Sequence, residues 1–402
     1  MKIRQLALVG LAASFASANV AAADGHCSVD GTGINILSAA FPAVEAVQDE
    51  AALCGASSER DQEFTNKINP ALEANPSPFN AVIGANSSFS NANAAGLVSP
   101  ITGIPGVSDL SPSMQIKQDG EVVAIAFMAN AEHLMVRDDL LELAGMDMPT
   151  SWEGVIELVD AVEAAGGIEG MEYPLTGVFA GWSMGEQFVN LWQATGQPMF
   201  VNGTEANINN EHGVEVLNML AELTSRMNPD FMTYNTNAVQ AQFEQGTAGI
   251  ANLWGSRGQN IIDGVEALGQ TVTFGSAPTM GGGSMPASTL WWDGFFFASN
   301  QSDEDRARAV ALAIDSADQE MLAKDDHVTR AVWLIDGYVP TPAAAGVIAT
   351  AEAGANPYPM LPNMGAMHTA LQNEIIEFLK GEESAEQALA DVVDAYNTAL
   401  AE

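Results

Sequence analysis

Apolar positions along the chain alternate between two periods. Short unbroken apolar runs read as buried strands, and stretches with apolar residues three and four apart read as helices. Residues 34–37 form a short strand pattern. Pro42 then opens a helix striped by Val44, Val47, Ala51 and Leu53. Residues 64–72 read as helical. Residues 80–84 read as a buried parallel strand, followed by a polar turn at Asn86, Ser87 and Ser88 and a helix over 92–95. Residues 122–127 form another apolar strand. Leu140, Leu141 and Ala144 end a helix at Gly145, a natural C-cap. Thr150 or Ser151 caps the next helix, striped by Trp152, Ile156 and Val159. Strands are predicted over 175–179, 250–253, 272–274 and 291–297. Amphipathic helices are predicted over 213–227 and 303–322 and through the last stretch of the chain, where Leu371, Ile375 and Phe378 share a face. Gly281, Gly282 and Gly283 mark a loop, and residues 337–340 a turn. Strand and helix alternate throughout, the pattern of α/β layering. No internal repeat or low-complexity linker appears.

The N-terminus carries Lys2 and Arg4, then a small-residue apolar run over 6–18, shorter than the about 20 apolar residues of a membrane span. Ala21, Ala22 and Ala23 offer a signal-peptidase site, with cleavage expected before Asp24. Cys27 stands too far behind that site for a lipoprotein signal. The alternative is a buried N-terminal helix. Export places Cys27 and Cys54 in an oxidising compartment, where two cysteines this close pair more often than they bind metal. Closing such a loop is worth about 3–4 kcal/mol in the chain-entropy model. Two free buried thiols are the alternative.

The chain of 402 residues carries 51 acidic and 13 basic side chains. Loss of Lys2 and Arg4 with the leader leaves 11 basic residues, a net charge of −40 on about 379 residues. A core within one domain rarely grows so large, so two domains are expected. A field of this sign repels nucleic acid and anionic membrane. The acids are scattered, as expected of a solvated coat in salty surroundings; attraction of a cationic solute such as a polyamine is the other reading.

The most specific stretch is Val136 to Gly145 (V-R-D-D-L-L-E-L-A-G) followed by Pro149, Thr150, Ser151, Trp152 and Glu153. It resembles the aromatic-x-[KR]-D-L-L-x-x-A-G…P-x-T-W-[DE]-E block of the extracellular solute-binding proteins of ABC importers, the family that includes the maltose-binding protein. Weaker matches follow in the family's order at 243–249, 337–341, 379–381 and 385–389. Phe79 and Asn80 depart from the family's usual Pro-Asp. The resemblance implies an α/β, two-lobed periplasmic-binding-protein fold with a ligand cleft between discontinuous lobes. The expected division is a signal peptide over 1–23, a first lobe over 24–127 and 290–336, and a second over 128–289 and 337–402. It also implies a monomeric periplasmic receptor that delivers a small carbohydrate or polyol to the transmembrane subunits of a permease. No cofactor, metal or catalytic residue is expected.

Sugar sites combine flat aromatic faces, which cover the C–H side of the ring, with planar polar groups that fix hydroxyls. Trp182, Trp254 and the pair Trp291 and Trp292 fall at strand ends. Only one of the pair can face a cleft, and Trp292 is chosen because Asp293 and Gly294 follow it. Trp152, Trp192 and Trp333 are expected in the core. Carried over from the family's contact turns are Asn86, Ser87, Asn130, His133, Glu186, Arg257 and His368; Asp293, as an acceptor of two hydroxyl protons, and Tyr338 complete the expected ligand set. His368 stands where the maltose-binding relative has a stacking aromatic, which argues against a long maltodextrin site. One decoy is present. Residues 181–185 spell G-x-S-x-G around Ser183, with His327 or His368 following as a hydrolase would need. No oxyanion-loop motif precedes it.

Overall fold

A computed structural model describes residues 27–61, 64–324 and 326–401. The expected leader and its cleavage site lie outside these residues. The first sheet has the strand order Val332–Trp333, Glu121–Asn130, Thr289–Phe297, Ala81–Ala85, Asn35–Ser38, Ser57–Arg60. The last three run parallel. Thr289–Phe297, the crossing strand, runs antiparallel to both its neighbours. One edge of the sheet therefore gathers Ser38, Ala85, Asn130 and the start of the crossing strand. In open α/β sheets that edge is where ligands bind.

The second sheet is small and antiparallel, in the order Val272–Phe274, Glu132–Arg137, Ile250–Trp254. Only Ala131 separates Asn130 of the first sheet from Glu132 of the second. The chain returns through Ser288 into the crossing strand. It leaves again beyond Trp333, where Leu334 N–H donates to Phe127 O at 2.8 Å. Hydrophobic side chains collect in separate clusters around the two sheets. Two lobes result, each built from non-consecutive chain.

The local signals act as their chemistry predicts. Ser151 caps the helix Trp152–Ala164 by accepting from Gly154 N–H at 3.1 Å. Gly145 closes Asp138–Ala144 at φ 64°, a conformation glycine adopts without strain. Cys27 and Cys54 are joined as a disulfide.

Three elements differ from expectation. Asn86 does not sit in a turn; it is the first residue of the helix Asn86–Ala94, which follows the strand Ala81–Ala85 directly. The helix expected over 303–322 breaks at Ala317, and Asp318 caps a separate turn, Gln319–Leu322. Residues 175–179 form no ladder beyond a parallel bridge of Leu175 to Ile250. Phe179 and Ala180 instead donate their N–H groups to Tyr234 O at 3.0 Å each.

Candidate ligand site

At the N-terminus of the helix Trp182–Ala194, Gly181 takes φ 57° and turns the chain so that Trp182 leads the helix. Trp182 is 39% exposed, although an indole gains by burial. One face of it is covered. The His368 ring stacks on it at 4.0 Å and 8° from parallel, and His368 Nε2 pairs with Trp182 O at 2.8 Å. Trp291 meets both Trp182 and Trp254 edge-on, at 5.5 Å each. Tyr358 lies 4.2 Å from the Trp291 ring, and its hydroxyl reaches His368 Nδ1 at 3.2 Å. Five rings from four separate segments thus form one group at the junction of the lobes. Burial holds His368 down to about 4, so the ring beneath Trp182 is a neutral imidazole at physiological pH.

The crossing strand corrects one expectation. Trp292 is not the tryptophan of this group. It packs in the first lobe against Phe89 at 5.7 Å, in the cluster that holds Phe296. Trp291 points the other way, into the second lobe. Alternation allows one of the pair, and the crossing strand keeps its phase against Ala81–Ala85, so Asp293 falls on the side of Trp291 and does not favour Trp292. Asp293 shares the parity of Trp291 and is half-buried; burial pushes its carboxyl up to about 7.

His133 also leaves the expected set. It is fully buried on the opposite side of its strand, edge-on to Phe274 at 5.2 Å. A Cβ on Gly346 would come within 2.0 Å of its Nδ1, so the imidazole fills a slot that only glycine leaves open. Burial lowers it to about 4. Tyr338 leans on the core of the first lobe and is not among the rings.

The remaining polar residues divide by position. Asn130 binds across the joint: its Oδ1 accepts from Ser256 N–H at 3.1 Å and its amide nitrogen donates to Ser256 Oγ at 3.3 Å. Asn86 is buried, donates weakly to Leu290 O at 3.4 Å, and leaves Oδ1 without a partner. Ser87 follows it, half-buried. Arg257 donates to Gln240 Oε1 at 3.3 Å and makes no ion pair with the described residues; burial lowers its pKa.

Behind Trp291 lies a buried polar cluster around two carboxyls, Glu186 and Glu132. Glu132 Oε2 accepts from Gln187, Asn190 and Asn252 at 2.9, 3.1 and 3.4 Å. Burial raises Glu132 to about 7 against the pull of those donors. Glu186 is raised well above the ordinary range by burial and by the charge of Glu132. Glu132, Trp291 and Tyr358 were not among the expected site residues. Trp291 was within reach as the other member of its pair. Glu132 gave no local signal, since its partners lie 55 to 120 residues away in sequence.

Ser183 does not stand in a hydrolytic arrangement. His368 is committed to Trp182 O and Tyr358, and His327 Nδ1 to Met321 O at 2.8 Å in the first lobe. Both glycines of the G-x-S-x-G string have structural causes. Gly181 supplies the positive φ. A Cβ on Gly185 would stand 2.8 Å from His368 O, so glycine lets the helices Trp182–Ala194 and Met364–Leu379 touch.

The fold has many solved counterparts. Maltose-bound MalE3 of T. maritima superposes with a TM-score of 0.72 at 15% identity, over 91% of this chain and 99% of that one. The GacH receptor of Streptomyces glaucescens, described unliganded and with acarbose, gives 0.71 at 14% identity, over 91% and 97%. An ABC transporter solute-binding protein from Agrobacterium radiobacter K84 in complex with ribitol gives 0.73 at 16% identity, over 92% and 99%. At such identities these establish the fold alone. No curated protein matches the sequence. A family model described as bacterial extracellular solute-binding protein matches residues 56–359, three-quarters of the chain, taking in the second sheet, the first sheet except Asn35–Ser38, and four of the five clustered rings. The family match covers well over half of the sequence and is of a non-enzymatic receptor family: the chain belongs to the bacterial extracellular solute-binding proteins.

Proposed function

We propose that the chain is the periplasmic receptor of an ABC importer and binds a neutral mono- or small oligosaccharide, or a polyol, between its lobes. The observation that carries this reading is Trp182. Its inner face is backed by a neutral imidazole, its edge is held by Trp291, and the rest is open. That is a preformed stacking platform for the apolar face of a sugar. Asn130, Ser87 and Asp293 lie along the facing edge of the first lobe and supply donors and acceptors for hydroxyls. The relatives bound to maltose, acarbose and ribitol support the same ligand class. The lobes divide near the expected bounds, 24–127 with 290–336 and 128–289 with 337–402, save that residues 128–130 end a strand of the first sheet and Tyr338 packs on its core. The receptor acts as a monomer, closes when ligand touches both lobes, and hands its cargo to the transmembrane subunits of the permease.

A cationic solute is the second reading, favoured by the acidic surface and by Glu132 and Glu186. Both acids, however, stand behind Trp291 and are engaged with neutral partners. A thermal-shift screen of the purified protein against sugars, polyols and polyamines separates the two. Stabilisation by a neutral polyhydroxylated compound is expected; stabilisation by spermidine or putrescine alone would overturn the reading.

A further inference from the structure

The hydroxyl of Thr289 has three polar neighbours. The Trp291 indole N–H donates to Oγ1 at 2.7 Å, Asn190 Oδ1 lies at 2.9 Å, and Glu186 Oε1 at 3.0 Å. A hydroxyl has one proton to give and two lone pairs to receive with. The Asn190 amide is fixed in orientation. Its Oδ1 accepts from Thr289 N–H at 3.0 Å and its Nδ2 donates to Glu132 Oε2 at 3.1 Å. Oδ1 is therefore an acceptor and takes the threonine proton, while the indole occupies one lone pair of Oγ1. The contact left over, Oγ1 to Glu186 Oε1, has no proton unless Glu186 carries one. Giving the threonine proton to Glu186 only moves the bare contact to Asn190. Glu186 is fully buried, and two acceptors facing each other at such a distance without water are costly.

We infer that Glu186 is a carboxylic acid in the folded receptor, and that its proton, donated to Thr289 Oγ1, holds Trp291 in place as the wall of the ligand site. The role as a wall rests on the ligand site proposed above; the proton does not. Glu186 is thus a positioning residue that acts through Thr289. Between the two carboxyls the proton belongs on Glu186, because Glu132 collects three amide donors on Oε2, whereas the Trp291 and Asn190 donors that neighbour Glu186 are directed to Thr289 Oγ1 and Glu132 Oε2. Like charges buried this close do not both ionise. The titratable groups facing Glu186 are Glu132 from its strand and Tyr358 from the segment beside the crossing strand; His368 of the helix Met364–Leu379 packs against Gly185, the residue before it. The crossing strand adds Asp293, two residues past Trp291. Burial keeps both the tyrosine and the histidine neutral, so among the described residues no cation offsets a charge on Glu186.

The test uses the ligand-free full protein, so that it stands apart from the identity of the solute. Infrared difference spectra in heavy water, at a pH above the titrations of Glu132 and Asp293 at about 7, should show a protonated-carboxyl carbonyl band that is lost in Glu186→Gln and kept in Glu132→Gln. Retention of the whole band in Glu186→Gln, or its loss in Glu132→Gln alone, would overturn the assignment. The positioning role is read by near-ultraviolet circular dichroism of the tryptophans. Raising the pH through the titration of Glu186 should change the wild-type signal. Glu186→Gln, whose amide donates to Thr289 permanently, should stay flat. Identical changes in both proteins would sink the link to Trp291.

Discussion

Trp182 and Trp292 illustrate how position, not residue type, divides binding from stability. Trp182 is stacked on one side and open on the other, so its removal takes a contact surface from the ligand and little from the core. Truncation of an aromatic anchor costs about 2 kcal/mol or more, a factor of roughly 30 in affinity. Trp182→Ala should weaken solute binding by that order in calorimetry and leave the ligand-free melting temperature nearly unchanged. Trp292 is 9% exposed and packed against Phe89 in the cluster that holds Phe296. Trp292→Ala should cost about 3–5 kcal/mol of stability, seen as a loss of denaturant midpoint. The reverse pattern would mean that the two rings have been assigned to the wrong sides. Asp293 gives a pH-dependent counterpart. Folding raises its pKa, so its contribution to stability is present at low pH. That contribution is lost as pH rises from the ordinary carboxyl value near ~3.9 to about 7. Asp293→Asn should therefore gain on wild type across that window in melts at successive pH, and parallel curves would contradict the burial of the acid. At this scale the sequence was partly legible. The ends of apolar runs drew attention to Trp182 and Trp254, and the family resemblance to His368 and Glu186. The face of each side chain depended on which lobe packs on each side of a strand and on glycine-lined slots, as at Gly346 beside His133, which a linear pattern does not encode.

Elements were easier to read than faces. Pro42, Ser151 and Gly145 begin or end helices because φ restriction, a side-chain acceptor and a left-handed cap act locally. Residues 175–179 were misread because an apolar run announces burial but not a ladder; tertiary bonds to Tyr234 O replaced strand pairing. The contact of the helices Trp182–Ala194 and Met364–Leu379 sets the ring group and depends on Gly185. Gly185→Ala should force them apart, lowering stability by about 1–3 kcal/mol and weakening binding together. Ser183→Ala, in the same G-x-S-x-G string, should change neither. Stoichiometric labelling of Ser183 by a fluorophosphonate would contradict the structural reading of that string. The disulfide acts on a third element, the entry to the first lobe. It closes a loop with a sequence separation of 27, worth about 3–4 kcal/mol in the chain-entropy model. Cys27→Ser with Cys54→Ser should lower the urea midpoint accordingly.

The whole molecule carries a formal charge of −38, and its acids spread along the chain. Self-repulsion of that size is screened within about 10 Å at 0.1 M salt. The melting temperature of the ligand-free protein should rise with sodium chloride, and a flat response would contradict a repulsive coat. In the proposed function, the two lobes, joined through Ala131, Ser288 and the stretch beyond Trp333, close on a solute held between Trp182 and the edge of the first sheet. The measurement that reaches this claim most directly is titration calorimetry of the sugar or polyol giving the largest thermal shift, against wild type, Trp182→Ala and Trp152→Ala. Wild type and any folded Trp152→Ala should bind one equivalent with the same affinity, and Trp182→Ala about 30-fold more weakly. Equal binding by wild type and Trp182→Ala, or heat from spermidine or putrescine and none from any neutral solute, would contradict it.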